Sequence, residues 1–265
     1  MSKSCDSYGA ISDIYDSINA QVDYSAWADF IESAFDRFLV SRPELVLDLA
    51  CGTGSMTLAL AKRGYDMIGV DASPDMLSRA FEKKLEEAPD RDVLFLLQDM
   101  RSFELYGTVG AVTCCLDSVN YLTADGDLEK CFACVHNYLD PDGLFIFDVN
   151  SPYKFENVYG ENTYVFEEDD CGGESFCAWQ NLYDKKSGIC DFYLTVFEKG
   201  EGGLYERRDE HQCERCYDLS HIRNTLERCG FELLGVYSDL KLSPIDEKSE
   251  RWYIVARCKK ECEKI

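Results

Sequence analysis

The sequence has few basic residues for its number of acidic ones. It contains 27 lysines and arginines against 50 aspartates and glutamates, and its formal net charge is −23. No run of basic residues is longer than two. Proteins that bind nucleic acid or anionic membranes draw much of their affinity from lysine and arginine. We therefore expect neither partner and attribute the acidity to solubility.

Long apolar runs are also missing. No stretch reaches the roughly 18 apolar residues of a membrane span, and the N-terminus shows no signal-peptide segment. These absences predict a cytoplasmic protein. The 14 cysteines are then expected to be reduced thiols, most of them small core residues, rather than a disulfide framework.

The apolar residues that are present follow an alternating pattern. With 265 residues and 46% hydrophobic content, the chain can bury a full core. Two helices are predicted over residues 11–40, and strands and helices then alternate up to residue 149. The third strand is predicted over 93–97, and the fifth over 144–149, after a turn at Pro141-Asp142-Gly143. Such alternation predicts an α/β fold with a doubly wound parallel sheet. A helix over 219–228 and strands over 231–237 and 251–258 return to that sheet.

The alternation stops between residues 151 and 216. Four strand-like segments joined by polar or glycine turns occupy this range, which indicates an antiparallel β insertion. We therefore divide the chain into a core, residues 1–150 and 217–265, and an inserted β-rich subdomain, residues 151–216.

A glycine turn follows the first strand of the core, in Asp48-Leu49-Ala50-Cys51-Gly52-Thr53-Gly54. Such a turn before a helix lets a ligand contact bare backbone. The dinucleotide fingerprint would need glycine at Thr57, and the phosphate loop would need Gly-Lys-Ser/Thr. Asp48 would repel a pyrophosphate and attract a cation. The turn therefore predicts a positively charged ligand.

Asp48, Asp71 and Asp99 follow three successive strands. The carboxyl ends of parallel strands face one crevice, so these side chains should lie close together. Asp71 is placed to accept hydrogen bonds from the 2′- and 3′-hydroxyls of a ribose. Asp99 could accept from the amine of an adenine, with the Met100 thioether packed on the ring.

These motifs, with Gly69-Val70-Asp71-Ala72-Ser73 and Gln98-Asp99-Met100, resemble those of class I S-adenosylmethionine-dependent methyltransferases. The resemblance covers residues 11–150 and 217–258. It implies a Rossmann-like fold with a seven-stranded mixed sheet, and S-adenosyl-L-methionine as cofactor. It also implies cofactor contacts for Asp48, Gly52, Gly54, Asp71, Ala72, Asp99, Met100 and Leu116.

The N-terminal Tyr15-Asp16 and Asp23-Tyr24-Ser25-Ala26-Trp27, with the β insertion, are similar to sugar-amine N,N-dimethyltransferases and glycine or sarcosine N-methyltransferases. This second resemblance implies a small-molecule acceptor, an amine, bound by the insertion. Aromatic faces of Tyr15, Tyr24 and Trp27 could attract the sulfonium by roughly 0.5–2 kcal/mol. The alternative is that these rings belong to the helix core.

Candidate acceptor-side residues are Asp117, Asn120 and His211. In the family, the segment after strand four lies beside the acceptor, so Asp117 and Asn120 could orient it. Alternatively, this loop caps the next helix through Asp117 or Ser118. His211 or Glu210 could take the proton of an amine, although alignment alone supplies much of the rate of methyl transfer. A solvated surface or a strand-edge salt bridge is the alternative for His211.

We expect no metal. Cys131-x-x-Cys134 and Cys213-x-x-Cys216 have zinc-ligand spacing, but the first pair falls within a predicted helix, whereas metal-binding pairs normally lie on turns.

Two functions other than methyl transfer stay open at this point. One is a nicotinamide-dependent dehydrogenase, which Asp71 would permit and Thr57 and Asp48 oppose. The other is a non-catalytic cofactor-binding protein on the same scaffold.

Overall fold

The computed structural model describes residues 15–170, 173–200 and 202–260. In chain order its helices and strands are α1 (Tyr15–Ile18), α2 (Tyr24–Phe38), β1 (Leu45–Leu49), α3 (Ser55–Lys62), β2 (Asp66–Asp71), α4 (Pro74–Glu87), β3 (Val93–Leu97), β4 (Val109–Cys114), α5 (Asp127–Tyr138), β5 (Leu139–Asn150), α6 (Pro152–Lys154), β6 (Thr163–Asp170), β7 (Gly173–Asp184), β8 (Ile189–Lys199), β9 (Tyr205–Arg215), α7 (Leu219–Arg228), β10 (Phe231–Tyr237) and β11 (Arg251–Cys258). A 3-10 turn, Ser118–Tyr121, follows β4, and a π-helical turn, Phe155–Tyr159, follows α6.

The larger sheet has seven strands in the order β10-β11-β5-β4-β1-β2-β3. The pairs β5-β4, β4-β1, β1-β2 and β2-β3 are parallel, whereas β11 is antiparallel to both β5 and β10. This arrangement confirms the predicted seven-stranded mixed sheet. The fifth strand begins at Leu139 rather than Leu144, because Leu139 already pairs with Val109 ahead of a register shift.

Helices cover both faces of this sheet. On one face, Val46 of β1 belongs to a buried cluster that also contains the apolar face of α2. On the other face, Leu47 and Leu49 belong to a second cluster, together with residues of α5 and α7. Alternate side chains of a strand point to opposite faces, so each strand contributes to both cores. The ligand crevice is then left at the ends of the strands.

The second sheet is antiparallel, in the order β6-β7-β8-β9. Along β8 the burial alternates, and Cys190, Phe192, Leu194 and Val196 face inward against the π-helical turn. The predicted antiparallel insertion is therefore confirmed as a sheet. The domain division at residues 151 and 216 remains a proposal based on this sheet.

Ten cysteines are free in the part of the chain that the structure describes. Seven of these thiols are buried, as expected for small core residues: Cys51, Cys114, Cys115, Cys131, Cys177, Cys190 and Cys258. Cys213 departs from the expectation of reduced thiols because it is disulfide-bonded. Among the described helices, none has both the length and the apolar character to span a bilayer.

Candidate active site

The glycine turn after β1 adopts a left-handed backbone that brings it close to its neighbours. Ala50, Gly52 and Gly54 have φ of 56°, 53° and 76°. A Cβ on Gly54 would lie 3.0 Å from the Cβ of Ala80 and 3.2 Å from the Cζ of Phe95. Both the conformation and the tight approach therefore favour glycine at position 54.

Asp71 is fixed at the end of β2 by backbone donors. Its Oδ2 accepts from the amide nitrogen of Gly52 at 2.8 Å, and its Oδ1 accepts from that of Ser73 at 2.8 Å. Burial raises the pKa of this carboxyl group. Each carboxylate oxygen can accept a further hydrogen bond, so Asp71 can still receive ligand hydroxyls.

A first cavity of about 220 Å³ opens at the ends of β1, β2 and β3. Asp71 and Asp99, which the sequence predicts to share a crevice, both line it. The other lining residues are Tyr15, Ala50, Gly52, Val70, Ala72, Ser73, Met76, Gln98, Met100, Arg101, Ser118, Tyr121 and Leu122. The cavity wall therefore carries two carboxyl groups, those of Asp71 and Asp99, and the thioether of Met100.

Asp99 has a partner that the sequence reasoning missed. The Nε of Arg101 donates to Asp99 Oδ1 at 2.8 Å, and its Nη1 donates to Asp127 at 2.9 Å. These hydrogen bonds from Arg101 lower the pKa of Asp99. Asp99 is therefore an ionised hydrogen-bond acceptor on the cavity wall, with a guanidinium beside it.

A second, smaller cavity of about 30 Å³ lies beside the glycine turn. Its lining includes Tyr15, Tyr24, Asp48, Gly52 and Leu116. Asp48 is 2% exposed, and burial raises its pKa to about 6. The hydroxyls of Thr57 and Thr113 donate to its two oxygens. Thr57, found where a dinucleotide fingerprint has glycine, is therefore a partner of the buried carboxylate.

Helix α1 lies over this turn. Tyr15 lines both cavities. Asp16 accepts a 2.7 Å hydrogen bond from Thr53 Oγ1 in the turn and forms a 2.5 Å ion pair with Lys83 of α4. Burial raises the pKa of Tyr15. Tyr15 is therefore a neutral phenol above the crevice.

Tyr24 and Trp27, the other two predicted aromatic residues, have different positions. Tyr24 lines the second cavity, and burial raises its pKa to about 12. Trp27 is 4% exposed and packs against Phe30 and Tyr253 in the helix–sheet core. The structure thus corrects the prediction for Trp27, because the pitch of α2 turns this ring toward the sheet.

A third cavity of about 210 Å³ lies between the two sheets. It shares Tyr15 and Leu116 with the second cavity and Tyr15 and Tyr121 with the first. The other lining residues are Asn19, Val22, Asp117, Lys154, Tyr159, Trp179, Leu194, Gln212, Glu214 and Arg251. The three cavities therefore adjoin around Tyr15.

Asp117 projects into the third cavity from a left-handed turn. Leu116 and Asp117 have φ of 59° and 55°, which is uncommon for residues with a side chain. Asp117 Oδ1 accepts from Arg251 Nη2 at 3.0 Å, and Oδ2 accepts from Asn150 Nδ2 at 2.8 Å. Burial alone would raise the pKa of Asp117, but the cations of Arg251 and Lys154 lower it to about 2.

Glu214 faces Asp117 from the second sheet and was missed by the sequence reasoning. It is 1% exposed, and its Oε2 accepts from Asn150 Nδ2 at 2.9 Å. Burial and the neighbouring Asp117 raise its pKa well above the ordinary value. A sequence signal existed, because Glu210, Gln212 and Glu214 form a polar stripe on alternate positions of β9.

Asn120 is a structural residue rather than an acceptor contact. It is fully buried, its Nδ2 donates to the carbonyl of Arg215 at 2.8 Å, and its Oδ1 accepts from the amide of Asn150 at 2.9 Å. Both ends of its amide are used to join the two sheets. The prediction that Asn120 orients an acceptor is therefore corrected.

His211 lies on the outer face of β9. Its Nε2 is 2.7 Å from Asp191 Oδ1, and its ring stacks on Tyr193 at 4.7 Å. Gln212 and Glu214 line the third cavity, and His211 must point away from it because neighbouring residues of a strand face opposite sides. The predicted acceptor-facing role is wrong, and His211 instead contacts Asp191 on the neighbouring strand.

The two cysteine pairs with zinc-ligand spacing do not form one cluster among the described residues. Cys131 and Cys134 lie on α5, as the sequence predicts. Among the described residues, ligand atoms of Asp191, His211 and Cys213 lie within 4.8 Å of one another. Because Cys213 is disulfide-bonded, its sulfur is not a thiolate, and two ligand atoms are left.

Comparisons with known proteins identify relatives over almost the whole chain. A family model described as a methyltransferase domain matches residues 46–143. The putative methyltransferase YqeM of Bacillus subtilis (strain 168) is 33% identical over 255 residues, covering 94% of this chain and 96% of that protein. A glycine/sarcosine N-methyltransferase of Halorhodospira halochloris is 31% identical over 225 residues, covering 80% of this chain and 74% of that protein.

A solved structure is similar over the same extent. The S-adenosylmethionine-dependent methyltransferase from Clostridium acetobutylicum ATCC 824 superposes with a TM-score of 0.83 at 31% identity. The match covers 96% of this chain and 99% of that one. It therefore includes the second sheet as well as the seven-stranded sheet.

Proposed function

Since the chain belongs to the class I S-adenosylmethionine-dependent methyltransferases, we propose that it methylates a small-molecule amine. The comparisons establish an enzyme of methyl transfer with S-adenosyl-L-methionine (SAM) as its cofactor. Membership of this family also removes the nicotinamide-dependent dehydrogenase as an alternative. The nature of the acceptor and the roles of individual residues are our proposal.

The residues around the first two cavities fit this cofactor. Asp71 would accept the ribose hydroxyls, with Ala72 alongside, and Asp99 with Met100 would hold the adenine. The methionine part would lie on the bare backbone of Gly52 and Gly54, where a Cβ at position 54 would clash with Ala80. The backbone of Leu116 would hold its amino group. Bound there, the cofactor supplies an electrophilic methyl group on a sulfonium.

Asp48 and Tyr15 would favour the positive charge at this position. The carboxylate of Asp48 lines the small cavity beside the turn, and Tyr15 and Tyr24 place aromatic groups there. A cation is attracted both by a buried carboxylate and by aromatic faces. These groups would hold the sulfonium beside Tyr15 and Leu116, where the third cavity adjoins the second.

The third cavity carries the acceptor proposal. It lies between the two sheets, adjoins the cofactor cavities at Tyr15 and Leu116, and is lined by Asp117 and Glu214. A cavity of about 210 Å³ suits a small acceptor, and carboxyl groups suit an amine. The name of the Halorhodospira halochloris relative, a glycine/sarcosine N-methyltransferase, gives the same class of acceptor.

The protein would contribute alignment and exclusion of water. Methyl transfer requires the lone pair of the acceptor in line with the methyl group at about 3 Å, and such alignment can supply much of the rate. Asp117, fixed by Arg251 and Asn150, would orient the amine, and Tyr15 would keep solvent from the junction of the cavities.

The test is methylation of defined acceptors with SAM labelled in the methyl group. Glycine, sarcosine and D-glucosamine are offered separately, and RNA and unrelated protein are offered as macromolecular acceptors. We expect label in one or more of the amines. Label in RNA or protein alone, or in no acceptor while calorimetry shows bound cofactor, would contradict the amine proposal.

A further inference from the structure

Two buried carboxyl groups meet in the third cavity from different sheets. Asp117 follows β4 of the larger sheet, and Glu214 lies on β9 of the smaller one. The Nδ2 of Asn150 donates to both of them, to Asp117 Oδ2 at 2.8 Å and to Glu214 Oε2 at 2.9 Å. Two carboxyl groups that share one donor in a buried site repel each other when both are ionised, which favours a proton on one of them.

The surrounding charges decide which carboxyl group holds that proton. Arg251 donates to Asp117 and to Asp148, and no hydrogen bond between Arg251 and Glu214 is found among the described contacts. Like charges in one buried site cannot both ionise at low cost. Asp117 is therefore the ionised member, and Glu214 is the member that gains and loses the proton.

We propose that Glu214 is the general base of the reaction, taking the proton of an acceptor that arrives as an ammonium, while Asp117 orients its nitrogen. This inference rests on the proposed amine acceptor and narrows it to basic amines. An amine that is protonated in water has no lone pair for the methyl group. A base inside the cavity is then needed to release a lone pair.

The proton and electron pairs balance in two steps. The ionised Glu214 accepts a proton from R–NH₃⁺, which gives Glu214–COOH and R–NH₂. The nitrogen then forms the N–CH₃ bond as the S–CH₃ bond of the sulfonium breaks and leaves its electron pair on sulfur. The product departs as R–NH₂⁺–CH₃, and Glu214 returns its proton to solvent.

The charged or titratable groups around Glu214 are Asp117 after β4, Lys154 on α6, Tyr159 in the π-helical turn, Cys190 on β8 and Arg251 on β11. Burial and Asp117 favour the protonated form of Glu214, which makes it a stronger base than an ordinary glutamate.

The Glu214→Gln variant tests the base. Glutamine keeps an oxygen for Asn150 and gains an NH₂ that can donate to Asp117, so the hydrogen bonds of the pair persist without a titrating proton. Rates are measured against pH with whichever of glycine, sarcosine and D-glucosamine wild type methylates fastest. Asp209→Asn is the matched control, because Asp209 is a carboxylate on the outer face of the same strand, bonded to Arg207.

The expected readout is the shape of the pH profile. In wild type, kcat/KM rises with pH and levels off at the pKa of Glu214. In Glu214→Gln it keeps rising tenfold per pH unit up to the solution pKa of the amine. For an amine with a solution pKa about two units above neutral, as in glycine and sarcosine, it is about 100-fold below wild type near neutral pH. Asp209→Asn should follow wild type. Parallel profiles for wild type and Glu214→Gln would overturn the inference while leaving the amine acceptor in place.

A second measurement does not depend on the variant folding well or on turnover. Wild type carrying 13C-labelled glutamate carboxyl groups is titrated by NMR with S-adenosylhomocysteine (SAH) bound, and the Glu214 signal is expected to titrate well above the other glutamates. Titration near the ordinary glutamate pKa would overturn the inference. If wild type binds SAH but methylates none of the three amines, the amine proposal fails, and this inference fails with it.

Discussion

At the scale of single residues, neighbouring groups give the crevice carboxylates different properties. Asp48 is buried beside two hydroxyls, Asp71 accepts from two backbone amides, and Asp99 is paired with a guanidinium. Burial raises the pKa of Asp48 to about 6, whereas Arg101 lowers that of Asp99. Similar side chains are therefore suited to different parts of one ligand.

Asp71→Asn should weaken cofactor binding. The asparagine NH₂ would face the amide N–H of Gly52 or Ser73, and hydrogen bonds to a charged group, worth about 1.5–3 kcal/mol, would be lost. We expect the Kd for SAH to rise about 10- to 100-fold in calorimetry. Asp66→Asn, at the exposed start of the same strand, is the control. Equal affinities for the two variants would contradict the ribose role of Asp71.

Asp48 should make cofactor binding sensitive to pH. Above about pH 6 its carboxyl group is ionised and attracts the sulfonium of SAM more than the uncharged sulfur of SAH. We expect the preference for SAM over SAH to increase about tenfold between pH 5 and pH 7.5, roughly one pKa unit of interaction energy. Asp48→Asn should abolish this change. A variant that keeps the wild-type pH dependence would rule out Asp48 as its source.

The sequence predicted the strand-end residues better than the acceptor-side residues. Asp71, Ala72, Asp99 and Met100 line one cavity, because chain direction and strand period bring successive strand ends together. The face that β9 presents inward depends on how one sheet packs on the other, which the sequence pattern does not give. His211, which was predicted to face the acceptor, lies on the outer face of β9, and the inward face carries Glu214.

At the scale of elements, α1 depends on its contacts for its position. Four residues are too short for a helix that is stable in isolation, and Asp16 supplies the contacts to Lys83 and Thr53. Tyr15, which borders all three cavities, is held in place by the same contacts. The ion pair of α1 should therefore affect how fast the cofactor leaves.

Lys83→Met should speed release of SAH. A partly exposed ion pair contributes up to about 1 kcal/mol, so we expect the dissociation rate to increase about two- to fivefold in stopped-flow measurements. Lys62→Met is the control, because Lys62 forms an exposed ion pair with Glu87 instead. Identical dissociation rates in the two variants would show that α1 does not limit release.

Asn120 connects the two sheets and should matter for stability. Asn120→Ala leaves the carbonyl of Arg215 and the amide of Asn150 without their partner, at about 1–3 kcal/mol each. We expect the Tm to fall by about 5–10 °C in calorimetry. Asn157→Ala, which removes an exposed hydrogen bond to the carbonyl of Tyr153, should change it little. A similar Tm for both variants would argue against Asn120 as the link.

At the scale of the whole molecule, the net charge of −23 should assist a cationic cofactor. Fields of this kind increase association rates and are screened by salt. We expect the association rate of SAM to fall about two- to fivefold between about 20 and about 200 mM NaCl. SAH, which lacks the sulfonium charge, is the control and should respond less. Equal responses would exclude steering by the net charge.

The architecture was largely predictable because alternation of strands and helices implies a parallel sheet, and its interruption marked the second sheet. The bounds of β3, α7, β10 and β11 agree with the prediction. The early start of β5 was missed, since pairing of Leu139 with Val109 is a tertiary contact that continues the strand through apparent turn residues. The third cavity was also missed, because it forms between the two packed sheets and their packing is a tertiary feature.

The distribution of cavity walls along the chain has a consequence for divergence. Apart from Tyr15, the first cavity is built from residues 50–122, whereas the third also draws on residues 154–251. Mutations within residues 154–251 can reshape the third cavity, where we propose that the acceptor binds, while the wall of the first cavity is unchanged. Paralogues could in this way acquire new acceptors by drift in the insertion, with their chemistry inherited unchanged.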